Sequence, residues 1–496
     1  MPAPIEYDPI IGSSSPDAIA LGRLVDRRRG IAQRIRYGGD QHVLLFGPNG
    51  KGKGVRILLT NLLSMSGSSL IVVDPKGECA AVTAPYRRTL GRVVILNPFG
   101  VLTDIPGYED LKSTGFNPLA ALDPTSDMFN SQAAQIADAL VMVEGKDPHW
   151  GQSARALIAA IIMYVAIEAR KGNSAPTMMR VRELLCAASS EAHAANGFEG
   201  TGIPKMALDM MRSELTGLRN KASQFVEWTK EIQSVASTAK IQTEPFDDPP
   251  ISRDMEQEGF DFATLKREPI TVYLILPPTE MDRHSKWLRL VLTSAIQAVL
   301  RPRQPGEPKT VFMLDEFFAL GHLEIISTVW SLVRGYGVQI IPVLQDLNQL
   351  KMLHKDMWET FIGMAGAVMS FAPNDMTTAK WLSERAGETT RDVTTSSTST
   401  SESTSTGQTA PQPQNPLGGS STGTTTSTST SSNTSPTKTN LLTPHRIIGL
   451  KTGFMLLTLD GLAPVVSTYA PAYYEIITLR ERARKNPYYV KKANVA

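Results

Sequence analysis

Residues 42–63, which begin HVLLFGPNGKGKGVR, constrain the fold more tightly than any other stretch of the chain. The apolar run Val43, Leu44, Leu45, Phe46 has the composition of a buried strand, and Val55, Leu58, Leu59, Leu62 and Leu63 recur at the spacing of one helical face. Between them Gly47, Pro48, Asn49, Gly50, Lys51, Gly52 and Lys53 fit the pattern G-x-x-x-x-G-K. At that spacing successive backbone N–H groups curl around a phosphate and the lysine reaches its outer oxygens. The helix that opens through Gly54 and Val55 adds its positive end, equivalent to about half an elementary charge, aimed at the same point. The pattern usually closes on a serine or threonine whose hydroxyl binds Mg2+; here Gly54 stands in that place and offers no side-chain oxygen. Metal binding must therefore rest on other residues.

The segments that follow repeat a strand and helix rhythm, which predicts an α/β protein with a parallel sheet. In SLIVVDPKGE an apolar strand ends at Val73 and delivers Asp74, Lys76 and Glu78. Ligands of open α/β sheets bind beyond the carboxyl ends of such strands, so these three belong near the nucleotide, with turn formation and helix capping as their competing roles. A third strand spans residues 92–96, and the chain then enters a loop with FNPL at residues 116–119. From about residue 127 to 241 strand signals vanish and helical patterns follow one another, over residues 133–143, 153–170, 178–188 and 203–239. The sheet resumes at ITVYLILPP, residues 270–278, followed by a helix carrying Trp287, Leu288, Leu290, Val291, Leu292, Ile296 and Leu300. In KTVFMLDEFFALG a further strand places Asp315 and Glu316 at its carboxyl end, the arrangement in which an acidic pair meets a nucleotide's metal and its attacking water. Another strand, residues 338–344, presents Gln345, a neutral amide able to hydrogen-bond both a terminal phosphate and the lytic water, or else to cap a helix.

With 496 residues the chain exceeds one hydrophobic core, and its 42% hydrophobic content suffices for packed domains. The expected division is a basic N-terminal arm at 1–36, a nucleotide-binding domain in two parts at 37–126 and 249–393, and an all-α insertion at 127–248. A Ser/Thr-rich disordered loop at 394–440 and the end of the nucleotide-binding domain at 441–496 complete it. The net charge of +2 is close to balance, so contact with nucleic acid must come from a local patch. Arg23, Arg27, Arg28, Arg29, Arg34 and Arg36 offer one such cluster, and residues 480–492 form a basic tail. Cys79 and Cys186 lie far apart without C-x-x-C spacing and read as two buried thiols in a reducing compartment. No secretory signal is legible, and the longest apolar run, residues 156–167, falls short of the roughly 18–20 residues a membrane span needs. His149 and Trp150 open the insertion as capping or packing residues, and Trp150, Tyr164 and Trp228 read as core aromatics before they read as base-stacking platforms.

The ordered set GPNGKGKG (47–54), VVDPKGE (72–78), FNPL (116–119), MLDEFFALGHLE (313–324), GYGVQIIPVLQDLNQL (335–350), SERAGETT (383–390) and YAPAYYE (469–475) resembles the TraG-like and TraD-like coupling proteins of type IV secretion and conjugation, over nearly the whole chain. The resemblance implies a RecA-like P-loop nucleotide-binding domain interrupted by an all-α domain, assembled as a homohexamer and using ATP and Mg2+. By that carry-over Lys53 holds the β and γ phosphates, Asp315 orients Mg2+, Glu316 polarises water and Gln345 senses the γ-phosphate. Many members of the family also carry glycine where Gly54 stands. The partners implied are single-stranded DNA or a relaxase–DNA complex and the components of a secretion channel. Typical members begin with membrane-spanning helices; none is legible here, so the expected place is peripheral, on the cytoplasmic face of the bacterial inner membrane.

Three functions compete on this reading. A motor drives DNA into a secretion channel by hydrolysis between subunits, with Arg283 or Arg334 supplying positive charge to a neighbour's γ-phosphate. A nucleotide-gated receptor recruits secreted effector proteins and hydrolyses little, a reading that Gly54 favours. A free helicase needs no membrane partner, and no helicase-specific motif compels it.

Overall fold

The computed structural model describes residues 14–26, 31–142, 148–187, 202–257, 259–332, 335–408, 420–460 and 462–488. Its strands are β1 (Ile19–Asp26), β2 (Ile31–Tyr37), β3 (Val43–Phe46), β4 (Ser69–Val73), β5 (Arg92–Leu96), β6 (Ile270–Leu274), β7 (Thr310–Leu314), β8 (Val338–Leu344), β9 (Ala367–Phe371), β10 (Glu388–Gln408), β11 (Ser420–Asn440), β12 (Phe454–Leu459) and β13 (Leu462–Tyr469). Eleven of them form one sheet in the order β2-β1-β13-β12-β9-β3-β8-β7-β4-β6-β5. From β9 to β5 every pairing is parallel. Strands β3, β4, β6, β7, β8 and β9 are buried at every position. Helices cover such a sheet on both faces, so its strands carry continuous Val, Ile and Leu runs instead of alternating. That is why these strands are legible as sequence.

The other edge is antiparallel, built from β12, β13, β1 and β2. Here the structure corrects the sequence reading: beyond residue 13 the expected N-terminal basic arm is a hairpin joined to the sheet. Ile19, Leu21, Ile35 and Tyr37 turn inward and are buried, while Arg34 stays exposed. The alternation is that of a sheet edge with one wet face, with Arg34 on the wet side and Arg23 and Arg36 half-buried.

The helical stretch contains Phe129–Leu140, His149–Lys171, Met178–Ala187, Ile203–Met211, Thr216–Ala222 and Lys230–Thr243. Two expected helix ends, at residues 143 and 188, lie outside the described residues. His149–Lys171 packs against Phe129–Leu140 and Lys230–Thr243 and buries Leu157, Ile158, Ile161 and Ile162 among others. At 23 residues this helix is longer than the apolar run the sequence marked, and by length and composition it is able to cross a membrane; most of it is buried within the protein. Trp150 is exposed, and Tyr164 and Trp228 are half-buried. Of the two cysteines expected to be buried, Cys79 is and Cys186 is exposed.

Residues 379–447 form a separate compact unit. Where composition predicts a disordered loop, β10 and β11 pair as a long antiparallel ribbon, in register from Glu388 opposite Asn440 to Gln408 opposite Ser420. Hydroxyls pair across it between Thr394 and Thr434, Ser397 and Ser431, Ser399 and Ser429, and Ser401 and Ser427, at 2.8–2.9 Å. Its side chains are exposed, so it buries no core, as the composition requires. The β-branched threonines still favour extended backbone, and cross-strand hydroxyl pairs supply what a core does not.

Candidate nucleotide-binding site

The parallel register brings the expected residues together. Phe46 lies opposite Leu344, Leu314 opposite Pro342, and Val73 opposite both Leu314 and Leu274. The strands therefore end at one edge, and Gly47, Gln345, Asp315 and Asp74 leave the sheet side by side. Because β8 runs between β3 and β7, Gln345 falls between the phosphate loop and the acidic pair. Its amide Nε2 donates to Glu316 Oε2 at 3.4 Å, and its backbone N–H is held by Gln349 Oε1 at 2.8 Å.

The loop has the open backbone that its glycines predict. Gly50 and Gly52 sit at φ +78° and +92°, conformations that side chains disfavour, and a Cβ on Gly52 would lie 2.9 Å from Arg56 Cδ. Helical bonding starts at once, with Arg56 N–H donating to Gly52 O at 2.9 Å. The first turn is wide, since Leu59 N–H reaches back five residues to Gly54 O before the helix settles into Leu59–Ser64.

A cleft of about 680 Å³ opens over this edge. Pro48, Asn49, Gly50, Gly52, Lys53, Gly54 and Val55 form one wall; Asp74, Lys76 and Glu78 form another, with Asp315 and Glu316 between them. Gly47, Lys51 and Gln345 are not among the residues that line it. Five carboxylates border the cleft (Asp74, Glu78, Asp282, Asp315 and Glu316) against two ammonium groups, Lys53 and Lys76. Burial pushes the Asp315 carboxyl up to about 6, helped by the neighbouring Glu316 charge and opposed by Lys53. Asp74, fully enclosed, is pushed up to about 7 by burial, although the N–H groups of Ala80 and Cys79 hold its charged form. Burial lowers Lys53, while Asp315 and Glu316 pull the other way.

This oxygen-rich, negatively biased cleft suits a hard divalent cation such as Mg2+. Among the described residues no three His, Cys, Asp or Glu side chains converge into a ready-made metal cage. Mg2+ is commonly held by one or two carboxylates together with a substrate's phosphates. Glu316 itself adopts φ +51°, ψ +42°, a left-handed conformation rare outside glycine. Such strain persists where the surrounding structure over-determines a position, and it clusters at active sites.

Two expected residues fall elsewhere. Arg283 lies beside lining residues Met281 and Asp282 but is itself outside the lining, exposed and paired with Asp248 at 3.0 Å. Arg334 lies outside the described residues. Sequence reasoning also missed several residues. Arg289 is buried and donates to the carbonyls of Ala139, Leu320 and His322 at 2.8–3.0 Å, fixing the turn that follows Glu316. Its only signal was a charge on an otherwise apolar helical face. The basic tail is a packed segment through residue 488: Arg484 N–H donates to Val82 O, Asn486 Nδ2 to Glu78 Oε1 at 2.6 Å, and the Tyr488 hydroxyl to Lys76 O at 2.6 Å. Nothing local in the sequence marks Asn486 or Tyr488.

A family model described as type IV secretory system conjugative DNA transfer matches residues 14–495. Conjugal transfer protein TraG of Escherichia coli is 27% identical over 394 residues, covering 73% of this chain and 58% of that protein. Protein VirD4 of Rhizobium radiobacter is 26% identical over 365 residues, 72% of this chain and 49% of its own length. The chain thus spans about half the length of these relatives. Among solved structures, the bacterial conjugative coupling protein TrwBdeltaN70 superposes with a TM-score of 0.58 at 15% identity, covering 87% of this chain and 85% of that one. Plasmid coupling protein TrwB in complex with ADP and Mg2+ gives 0.58 at 14% identity, covering 93% and 96%. At such identities the likeness is one of fold, and that fold is the expected RecA-like P-loop domain with an all-α domain.

Proposed function

The chain belongs to the type IV secretory system conjugative DNA transfer family, and from that premise we propose that it is an ATP-dependent coupling protein. It recruits single-stranded DNA, or a relaxase–DNA complex, and drives it into a secretion channel at the cytoplasmic face of the inner membrane, working as a homohexamer. The observation that carries this reading is the placement of Gln345 between the phosphate loop and the acidic pair, with its amide on Glu316. A cleft that only stored a nucleotide would need the loop; it would not need an aligned carboxylate and amide beside it. The ADP and Mg2+ bound by TrwB, which shares the fold, support the same reading.

The chain's own groups divide the work. The loop N–H groups and Lys53 bind the phosphates and resist their charge. Asp315 and the strained Glu316 line the cleft together; Asp315 would hold Mg2+ and Glu316 would polarise a water, with the Gln345 amide on the Glu316 carboxylate. Mg2+, when bound with ATP, neutralises charge on the transferring phosphate oxygens. The expected division of the chain into a two-part nucleotide-binding domain and a cargo-reading helical insertion belongs to this proposal, as does the choice of ATP.

The test is steady-state ATP turnover of the purified chain, with and without single-stranded DNA, across several salt concentrations. A motor turns over faster with DNA, loses that stimulation as salt rises, and loses roughly 10²–10⁴-fold in rate on Glu316→Gln while keeping its nucleotide affinity. Tight ATP binding with negligible turnover in every condition would favour the receptor for effector proteins instead.

A further inference from the structure

The phosphate loop lacks the hydroxyl that such loops use on Mg2+, because Gly54 occupies its place. The structure shows what stands there instead. Beyond its own helical turn, a Cβ built on Gly54 would meet Glu78 Oε2, at 4.0 Å. The glycine has not left a void to be filled by the loop itself; it has opened the space in front of a carboxylate. Glu78 comes from VVDPKGE, at the start of the helix Glu78–Leu90, and lines the same cleft as Lys53, Asp315 and Glu316. Its two oxygens are used differently. Oε1 accepts the Asn486 amide at 2.6 Å, which fixes the carboxylate's orientation, and Oε2 is the one turned to Gly54.

We infer that Glu78 stands in for the missing loop hydroxyl: its Oε2 faces the place where a serine or threonine oxygen stands in loops ending G-K-S or G-K-T, and it serves Mg2+ bound with the nucleotide, directly or through one of the ion's waters. Asn486 is the positioning residue that holds it there. The assignment explains three facts at once. A serine at position 54 would bring its hydroxyl against an oxygen that already does the work. Motif VVDPKGE ends in a carboxylate aimed across the cleft at the loop. The C-terminal segment, 408 residues away in sequence, returns to anchor that carboxylate. Magnesium tolerates the change because it accepts any hard oxygen and keeps most of its own waters.

The inference rests on the nucleotide reading above, and its test separates the two. Fluorescent ADP is titrated into the full chain in EDTA and in Mg2+, and the tightening caused by Mg2+ is compared in wild type, Glu78→Gln, Gly54→Ser and the double variant. Electron paramagnetic resonance of Mn2+ with ADP reports the metal's surroundings independently of turnover. Glu78→Gln keeps the side chain's size and an oxygen for Asn486, so the fold is preserved while the charge is lost; it should cut the Mg2+ effect by about tenfold or more, as loss of a group next to a metal does. Adding Gly54→Ser to Glu78→Gln should restore most of that loss, whereas Gly54→Ser alone should change little, so the two sites are strongly non-additive. An unaltered Mg2+ effect in Glu78→Gln, or a loss that the added serine does not restore, would overturn the assignment while leaving ADP binding in EDTA intact. A wild type that fails to bind ADP under either condition would overturn the nucleotide reading and this assignment with it.

Discussion

Asp74 follows β4 with 3% of its surface exposed, and burial, which penalises the charge, pushes its carboxyl up to about 7. The consequence for stability has a definite sign. Between the unfolded value near 3.9 and about 7, the folded chain holds a proton that the unfolded chain has released, so stability falls as pH rises through that window. Asparagine cannot ionise and can still accept the Ala80 N–H with its carbonyl. Asp74→Asn should therefore raise stability at pH 8 by something of the order of 1–4 kcal/mol and change little near pH 4, a difference that thermal unfolding at the two pH values will show. Wild-type stability that stays flat from pH 4 to 8 would contradict it. Gly52 makes the complementary case through geometry. At φ +92°, with Arg56 Cδ 2.9 Å from any added Cβ, Gly52→Ala should strain the loop by roughly 1–3 kcal/mol and weaken ADP binding tenfold or more in equilibrium titration.

Arg289 shows how one helix holds the turn after Glu316. It projects from Met281–Val299 to three carbonyls, two of them in the turn after Glu316, and is enclosed enough for burial to lower its pKa to about 10. Arg289→Met keeps much of the volume but takes the donor from two buried carbonyls, Ala139 and Leu320, and from the part-buried one of His322, and a buried acceptor is costly to leave unpaired. Denaturant unfolding should reveal a loss of roughly 2–4 kcal/mol, and turnover should fall more than ADP affinity because Glu316 loses its support. The β10–β11 ribbon is the opposite kind of element, exposed along its length and joined by hydroxyl pairs. Replacing residues 394–434 with a short turn should leave the melting temperature within about 2 °C and ADP affinity unchanged, since surface changes remote from a core cost little. The two elements also mark what sequence conveys and what it hides. A strand buried on both faces spells itself out as VLLF, SLIVV or TVFML, and the motifs that follow such strands are the cleft. The β1–β2 hairpin, half wet and rich in arginine, looks like an arm; the ribbon looks like disorder because its threonines favour extension without building a core.

At the scale of the whole molecule, the contacts least legible in the sequence are those that close the chain on itself, Asn486 on Glu78 and Tyr488 on Lys76, which bridge more than 400 residues and leave no local periodicity. The same limit applies between copies. Phosphoryl transfer of this type commonly draws on an arginine that meets the developing charge on the γ-phosphate. Among the described residues, the cations lining this cleft are Lys53 and Lys76, with no arginine, and Arg283 is turned to Asp248 at the surface. Among the described residues, then, no guanidinium stands where the proposed hydrolysis would draw on one. If a second copy supplies it, each active site belongs to a pair of subunits, and activity should depend on composition in a way that independent sites cannot imitate. Mixing wild type with Glu316→Gln subunits, which bind nucleotide but do not hydrolyse, tests this directly. Independent sites lose turnover in proportion to the fraction of variant; coupled sites lose it faster, because one stalled subunit holds back its neighbours. Turnover measured against mixing ratio should therefore fall below the straight line, and Arg283→Ala should abolish hydrolysis while leaving ADP affinity unchanged if that exposed guanidinium is the donor. A linear decline, with Arg283→Ala fully active, would mean that each chain completes its own site and that the charge comes from within it.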